Sequence, residues 1–373
     1  MLFGLSVFLS AALVFLIQPL LAKQLLPYFG GGAAVWTACM LFFQTLLLGG
    51  YSYAHLLGRY LAPLQQRKVH GLLLVVALAV SAGNLTLPAA TGSDAPLGAI
   101  ILYLLQIVGL PYLLLSATGP LVQHWFAHLQ TKHSPYRLYA LSNIGSVGGL
   151  LCYPFLLEPL LTLDNQWQLW LSGLTGFVLC MLLLMWRVLP ALSDTLRTQP
   201  LQLKQHAALR WLALSACGVI LLLTVTQQLT QNITPVPFLW VIPLLLYLLS
   251  FILVFASARW YQRSVWLYVF CLNLLIALAL FYLGRQFDVA SQLLFYLIIL
   301  FSGCMLCHGE LARSKPEPAA LTAFYFWLAL GGAAGSLLMN LVLPLLFVRQ
   351  YEFLLVLLAI YLLVLLPMVA AKP

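Results

Sequence analysis

The sequence predicts an all-α polytopic membrane protein, with about 12 transmembrane helices arranged as two related halves of six. Three observations predict it: charged residues are scarce, apolar runs recur along the whole chain, and most basic residues fall on one side of those runs. Charged residues make up 7% of the 373-residue chain, whereas about 25% is usual in a soluble protein. With a hydrophobic content of 63%, this excludes a soluble enzyme, a disordered chain and a secreted disulfide scaffold.

Twelve apolar runs reach the length of about 20 residues that a membrane-spanning helix needs. Continuous apolar runs favour helices, because a helix satisfies its own backbone hydrogen bonds in lipid. The runs occupy residues 2–22, 33–57, 69–88, 97–121, 137–162, 167–189, 208–229, 236–257, 264–284, 289–308, 319–347 and 350–369.

The basic residues indicate the orientation of these helices. Of the 17 Lys and Arg residues, all but Lys23, Arg285 and Arg349 fall on one side of the predicted membrane. Because positive charge accumulates in cytoplasmic loops, this predicts a multi-pass protein of the inner or plasma membrane with both termini in the cytoplasm. The same distribution explains the net charge of +9 without nucleic acid, since the chain has no basic run or nucleic-acid motif.

The longest polar stretch divides the chain into halves. We predict a cytoplasmic linker at residues 190–207 between six-helix halves at 1–189 and 208–373. The fifth and eleventh runs each contain glycines four residues apart, on one helix face, where two helix backbones can approach closely. These glycines are Gly145 and Gly149 in the first half, and Gly331 and Gly335 in the second. A 6+6 repeat of this kind is typical of transporter folds such as the major-facilitator type.

The sequence contains motifs that resemble cofactor and metal sites, but their context does not support such sites. Cys304-Met-Leu-Cys307-His308 matches the c-type haem pattern, but its predicted position is cytoplasmic, where that haem is not attached. Gly30-Gly31-Gly32 lies between two membrane helices rather than after a strand, so it is interpreted as a turn. His124, His128 and His133 lack regular metal-ligand spacing. We predict no cofactor, no metal and no enzymatic activity of the chain itself.

Two charged residues stand out at the predicted outer side. Lys23 follows Gln18-Pro19, and Glu158 precedes Pro159 near the end of the fifth run. In a major-facilitator arrangement the first and fifth helices are neighbours, so Lys23 and Glu158 can pair. Ionisable residues close to the membrane are costly and often functional, so an ion- or proton-responsive gate is one interpretation. A structural pair and two solvated helix ends remain alternatives.

Other candidates are polar or aromatic residues inside or beside the runs. Gln18, Gln44 and Asn143 line a cavity or join helices, and Trp36 and Trp240 each begin a helix after a Gly- or Pro-rich turn. In the cytoplasmic loops, Glu310 and Arg313 are spaced to pair on one helix. We predict a latch or docking surface formed by His308, Glu310, Arg313 and Arg137, with ordinary solvated loops as the alternative.

Several motifs resemble the membrane region of fused major-facilitator/spermidine-synthase-like proteins. They include Leu26-Pro-Tyr-Phe-Gly-Gly31, Pro135-Tyr-Arg-Leu-Tyr-Ala-Leu-Ser-Asn143, Pro237-Phe-Leu-Trp-Val-Ile-Pro243 and Cys307-His-Gly-Glu-Leu311. Many members of that family carry a C-terminal synthase-like domain, whereas this chain stops soon after the twelfth run, so the activity of that domain is not carried over. Ala323 stands where the family pattern leads us to expect an acid before Phe324-Tyr325.

Two functions follow from these observations. The first is a transporter, embedded in the lipid bilayer, that moves a small polar or cationic solute by alternating access; a polyamine-related solute is implied only by the resemblance. The second is a non-transporting membrane module that anchors or regulates a separate soluble, spermidine-synthase-like partner in the cytoplasm. A central polar cavity or measured solute flux would favour the transporter.

Overall fold

The computed structural model describes residues 1–29, 33–83, 96–129, 134–192, 205–232, 241–317, 320–347 and 351–370, and their regular structure is helical throughout. The helices of the first half of the chain are α1 (Leu2–Phe29), α2 (Ala33–Tyr60), α3 (Pro63–Ala82), α4 (residues 96–129), α5 (Tyr136–Leu160) and α6 (Leu163–Leu192). Those of the second half are α7 (Gln205–Asn232), α8 (Val241–Ala256), α9 (Arg263–Leu283), α10 (Val289–Arg313), α11 (residues 321–346) and α12 (Glu352–Ala370).

Each predicted apolar run overlaps one of these helices, which confirms the all-α membrane fold. Among the described residues, 8 helices are long and apolar enough to cross a bilayer, and Val241–Ala256 and Glu352–Leu365 are shorter apolar helices. Their outer surfaces also suit lipid rather than water, because large apolar side chains such as Phe155, Tyr268 and Leu345 are exposed by 71%, 76% and 85%.

Several helices extend beyond the apolar runs that predict them. The α3 helix begins at Pro63, six residues before the predicted run at 69. Proline suits the first turn of a helix, and the backbone N–H of Ala62 donates to Oε1 of Gln65 at 3.0 Å to cap it. The α4 helix continues to Leu129, past the predicted end at residue 121. The prediction missed these turns because it followed hydrophobicity, and helices can project past the apolar layer.

The chain forms two compact units. The first unit comprises Met1–Leu201 together with Glu317–Phe326, and the second comprises Gln202–Pro316 together with Trp327–Pro373. The start of α11 therefore belongs to the first unit and the rest of that helix to the second. The predicted linker at 190–207 includes residues 193–204, which lie outside the described residues.

In the first unit, α5 packs directly on the backbone of α1. A Cβ added at Gly145 would lie 2.5 Å from the carbonyl oxygen of Phe8, and one added at Gly149 would lie 2.5 Å from that of Ala12. Any larger side chain at either glycine would therefore push the two helices apart. A Cβ added at Gly148 of the same helix would meet no atom within 4 Å.

The second unit repeats this arrangement between α11 and α7. A Cβ added at Gly331 would lie 2.4 Å from the carbonyl oxygen of Leu212, and one at Gly335 would lie 2.7 Å from that of Ala216. Pairs of glycines four residues apart therefore form a close helix contact in both units, the use that small residues have in membrane helices.

Within the described ranges, three helices contain a π-helical turn, which the sequence analysis does not predict. The turns are Leu105–Gly109 in α4, Tyr153–Leu157 in α5 and Leu338–Val342 in α11. Such turns insert one residue into the helix, change the direction of the side chains that follow, and occur often at functional sites. In α5 the turn contains Pro154 and ends immediately before Glu158, so it sets the direction of that carboxylate.

Candidate functional site

An ion pair lies near the ends of α1 and α5 in the first unit. Nζ of Lys23 donates to Oε1 of Glu158 at 3.0 Å. The side chains retain 37% and 29% of their exposure, respectively, so the pair is partly solvated. A pair this exposed contributes little to stability, about 0–1 kcal/mol, which makes a purely structural role a weak explanation for two charges beside the membrane.

Two polar atoms beside this ion pair have no hydrogen-bond partner among the described residues. They are Oε2 of Glu158 and the hydroxyl of Tyr153, and both atoms are buried. Tyr153 is only 2% exposed, and it lies five residues before Glu158, at the start of the π-helical turn. Unpaired buried polar atoms are uncommon, so this carboxylate oxygen and this hydroxyl are available to a ligand or to water.

A second polar contact lies further along α1. Nε2 of Gln18 donates to the hydroxyl of Tyr112 on α4 at 3.1 Å, and Tyr112 is 2% exposed. Gln18 precedes Lys23 by five residues, a rise of about 7.5 Å along the helix. Gln18 and Lys23 thus each bring a polar contact to α1, and we refer to Gln18, Tyr112, Lys23, Glu158 and Tyr153 together as the α1 polar strip.

Other predicted cavity residues lie elsewhere. Gln44 is partly exposed on α2. Asn143 is 8% exposed, and its Nδ2 donates to the backbone oxygen of Tyr139, one turn earlier on its own helix, at 2.9 Å. That bond gives Asn143 a local role within α5. The side chain of Trp36, and Trp240 as a whole, lie outside the described residues.

In the second unit, Glu310 lies at the centre of a buried charge cluster. Its side chain is 3% exposed, and its ion-pair partners are Arg210 of α7 and Arg263 of α9. The hydroxyl of Tyr261 donates to Oε1 of Glu310 at 2.8 Å. The expected partner, Arg313, is instead exposed at the end of α10, so the helical i,i+3 pairing is not the arrangement found. The carboxylate is buried, and the guanidinium groups of two other helices contact it there.

His308 is an interior residue of the same unit rather than part of an exposed docking surface. It is fully buried, and its Nδ1 lies 2.7 Å from Oγ of Ser250 on α8. Its ring stacks on that of Phe251, with centroids 3.5 Å apart. Arg137, by contrast, is exposed at the start of α5, so the four residues predicted as one latch do not share one environment.

Among the described residues, the sequence analysis missed three tyrosines that pair with glutamines, namely Tyr112, Tyr296 and Tyr325. In the second unit the hydroxyl of Tyr296 donates to Oε1 of Gln228 at 3.3 Å, as Tyr112 pairs with Gln18 in the first. A signal was present, because α4 and α10 share Tyr-Leu, Gly and His at the same intervals, from Tyr112 to His124 and from Tyr296 to His308.

Comparison with solved structures assigns the fold. No protein-family model and no curated protein sequence matches the chain. The major-facilitator-superfamily proton:xylose symporter XylE aligns with 100% of this chain and 95% of its own, with a TM-score of 0.64 and 13% identity. A bacterial homologue of the iron transporter ferroportin aligns with 99% of this chain and 97% of its own, with a TM-score of 0.63 and 15% identity. The human organic anion transporter MFSD10 (TETRAN) aligns with 100% and 98%, with a TM-score of 0.58 and 16% identity.

These matches span essentially the full length of every chain compared, so the protein has the major-facilitator fold. It is a multi-pass membrane protein, as its apolar helices require. The three structures are described as a proton:xylose symporter, an organic anion transporter and a bacterial homologue of an iron transporter. At these sequence identities the similarity defines the fold and leaves the solute to be argued from the residues of this chain.

Proposed function

We propose that this protein is a transporter that moves a small polar or cationic solute across the membrane by alternating access. The observation that carries the proposal is the α1 polar strip. It combines a partly solvated ion pair with a buried carboxylate oxygen and a buried hydroxyl that have no partner among the described residues. A major-facilitator fold supports this function, because transporters of that kind bind solutes between helices near the membrane midplane.

The charges of the strip favour a cationic or hydrogen-bonding solute. Glu158 holds one ammonium group, that of Lys23, through Oε1, and keeps Oε2 for a second donor. An ammonium group of a solute can donate to Oε2 and to the hydroxyl oxygen of Tyr153, and a hydroxyl group of a solute can donate to Oε2 and accept from the hydroxyl of Tyr153. In this role Lys23 holds the carboxylate in place, and Gln18 with Tyr112 supplies further hydrogen bonds.

The topology in the membrane and the resemblance to a known family add two further parts to this proposal. The 17 basic residues, with all but three on one side, support a protein of the inner or plasma membrane whose two termini are cytoplasmic. The motifs shared with the membrane region of fused major-facilitator/spermidine-synthase-like proteins support a relationship to that family, and with it a polyamine as one solute to test.

Ligand-induced stabilisation tests the proposed site. The purified protein is heated in detergent with spermidine, putrescine, a neutral sugar or an amino acid, and its unfolding temperature is measured. A ligand at 100 times its Kd adds about 2.7 kcal/mol to the stability of the folded state. We expect a cationic member of the panel to raise the unfolding temperature of the wild type and not that of Glu158→Gln. Absence of any shift, together with co-purification of a soluble enzyme, would favour the anchoring function instead.

A further inference from the structure

Three histidines gather in the first unit, away from the α1 polar strip. His124 and His128 lie one turn apart on α4, with ring centroids separated by 4.5 Å. His55 of α2 lies within electrostatic reach of His124. The α2 helix approaches closely at Gly58, where an added Cβ would lie 3.5 Å from Nε2 of His124. We refer to His55, His124 and His128 as the histidine cluster.

The ring of His124 is the unusual member of this cluster. The residue is 6% exposed, yet neither Nδ1 nor Nε2 has a hydrogen-bond partner among the described residues. A neutral imidazole has one donor and one acceptor, and both normally find partners when they are buried. Packing alone therefore does not explain a histidine at this position, where an apolar side chain would avoid the loss of two hydrogen bonds.

The cluster also holds the start of α11 in place. Nδ1 of His55 lies 3.0 Å from Oγ1 of Thr322, and its ring stacks on that of Phe326. One residue before Phe326, the hydroxyl of Tyr325 donates to Oε1 of Gln123, the residue preceding His124. Residues 320–326, which belong to the first unit, are thus fixed by side chains in or next to the histidine cluster.

The surroundings of the cluster are poor in negative charge. The described acidic residues of the first unit are Glu158, Asp164 and Glu317. Glu158 lies about 30 Å along α5 from Tyr139, whose ring stacks on that of Tyr325, and Asp164 lies beyond it in the chain. Glu317 is exposed. Titratable and charged groups on the elements packed around the cluster include the amino group of Met1, Tyr51, Tyr53, Arg59, Tyr60, Arg67, Lys68, His70, Tyr136, Arg137, Tyr139, Arg187, Glu317 and Tyr325.

We propose that the histidine cluster is a proton-binding site that controls whether residues 320–326 stay docked on the first unit. In the neutral cluster His55 bonds to Thr322, and the rings of His55 and Phe326 stack. A proton taken from water places a positive charge beside two other imidazoles and near Arg59, with no buried carboxylate nearby in the part of the first unit that the structure describes. The charged ring regains hydrogen bonds by contact with water, which requires the 320–326 segment to move away. Acidification therefore undocks the segment, and neutral pH docks it.

Hydrogen–deuterium exchange on the full chain in lipid nanodiscs tests this proposal. Protection of the peptide that covers 317–326 is measured at about pH 7.5 and about pH 5.5, the range in which histidine titrates, after correction for the chemical exchange rate. We expect protection in the wild type to fall by about tenfold or more, since one linked proton changes an equilibrium tenfold per pH unit. Equal corrected protection at the two pH values would overturn the proposal.

Variants assign the effect to the cluster. His124→Phe combined with His128→Gln removes two of the three imidazoles of the cluster, and we expect it to reduce the pH response to the part that His55 contributes while the peptide stays protected at neutral pH. His206→Gln, at an exposed position on α7, is the matched control and should respond like the wild type. Thr322→Val removes the partner of His55 without changing any histidine, so it should lower protection at neutral pH as well. A full pH response in the double variant would show that other groups bind the proton.

Discussion

Nζ of Lys23 and Oε1 of Glu158 lie 3.0 Å apart, although the two residues are separated by 135 positions in the chain. The contact joins α1 to α5 just after the π-helical turn that directs Glu158. It joins Lys23, one of the three basic residues that the positive-inside rule leaves unexplained, to a carboxylate of another helix. Because both side chains retain about a third of their exposure, the pair can exchange partners with a solute.

The partial exposure of this pair predicts a weak contribution to folding. In a double-mutant cycle of Lys23→Met and Glu158→Gln, we expect a coupling free energy of about 0.2–1 kcal/mol. The measurement is chemical unfolding in mixed micelles. A coupling of several kcal/mol would instead show that the pair is a structural clamp and would weaken its assignment to solute binding.

The close contact of α5 with α1 predicts sensitivity at one glycine and tolerance at its neighbour. Gly145→Ala forces a Cβ against the carbonyl oxygen of Phe8, at 2.5 Å, so one helix must move. We expect a loss of about 1–3 kcal/mol, as for other overpacked sites, seen as a lower unfolding temperature. Gly148→Ala, with open space at the same depth of the same helix, is the control and should be neutral or slightly stabilising. Similar losses for both would contradict the packing described.

The buried cluster around Glu310 predicts a large effect from a single charge. Glu310→Gln leaves Arg210 and Arg263 facing each other without the carboxylate that joins them. Breaking a buried pair costs about 3–5 kcal/mol, and the partial exposure of the arginines favours the lower end. The yield of folded protein and the unfolding temperature report this. Arg313→Gln changes an exposed residue of the same helix end and should change neither the yield nor the unfolding temperature. Equal effects of the two substitutions would indicate that Glu310 pairs with Arg313, as the sequence predicts.

The hydrogen bond between Gln18 and Tyr112 predicts a moderate effect on solute binding. Tyr112→Phe removes one hydroxyl at constant shape, and a hydrogen bond is worth about 0.5–1.5 kcal/mol. We therefore expect the unfolding temperature to fall slightly, because this bond also stabilises the folded protein, and the affinity for a solute bound at the α1 polar strip to fall about 3- to 10-fold. Tyr268→Phe, on the exposed surface of α9, is the matched control. An unchanged affinity would exclude Tyr112 from the binding site.

The position of most basic residues on one side of the predicted helices predicts the orientation of the chain in the membrane. Reporter fusions at each terminus, one active only in the cytoplasm and one only outside it, should both indicate a cytoplasmic location. Opposite locations for the two termini would require an odd number of membrane crossings and would contradict a twelve-helix topology.

Much of the fold could be predicted because lipid imposes strong rules on sequence. Apolar runs locate the helices, and glycines four residues apart, such as Gly145 and Gly149, mark faces where helices can meet. Helix ends were predicted less well, since Pro63 and the cap from Gln65 begin α3 before its apolar run. Hydrophobicity indicates which residues lie in the apolar layer of the bilayer, whereas local hydrogen bonds determine where a helix starts.

The site was harder to predict because its geometry depends on contacts distant in sequence. Spacing along one helix favoured Arg313 as the partner of Glu310, whereas the structure supplies Arg210 and Arg263 from other helices. The π-helical turn before Glu158 has no composition signature beyond Pro154. Tyr112 and His124 look like ordinary core residues in the sequence, and only their partners, or lack of partners, distinguish them.

Solute counterflow in proteoliposomes tests the transporter assignment most directly. Vesicles loaded with an unlabelled solute that stabilises the purified protein are diluted into the labelled solute, and transient accumulation is followed. The account predicts accumulation with the wild type and with Asp164→Asn, whose carboxylate is exposed at the start of α6, and its loss with Glu158→Gln at equal protein yield. Absence of accumulation with correctly folded wild type, or full accumulation with Glu158→Gln, would contradict it.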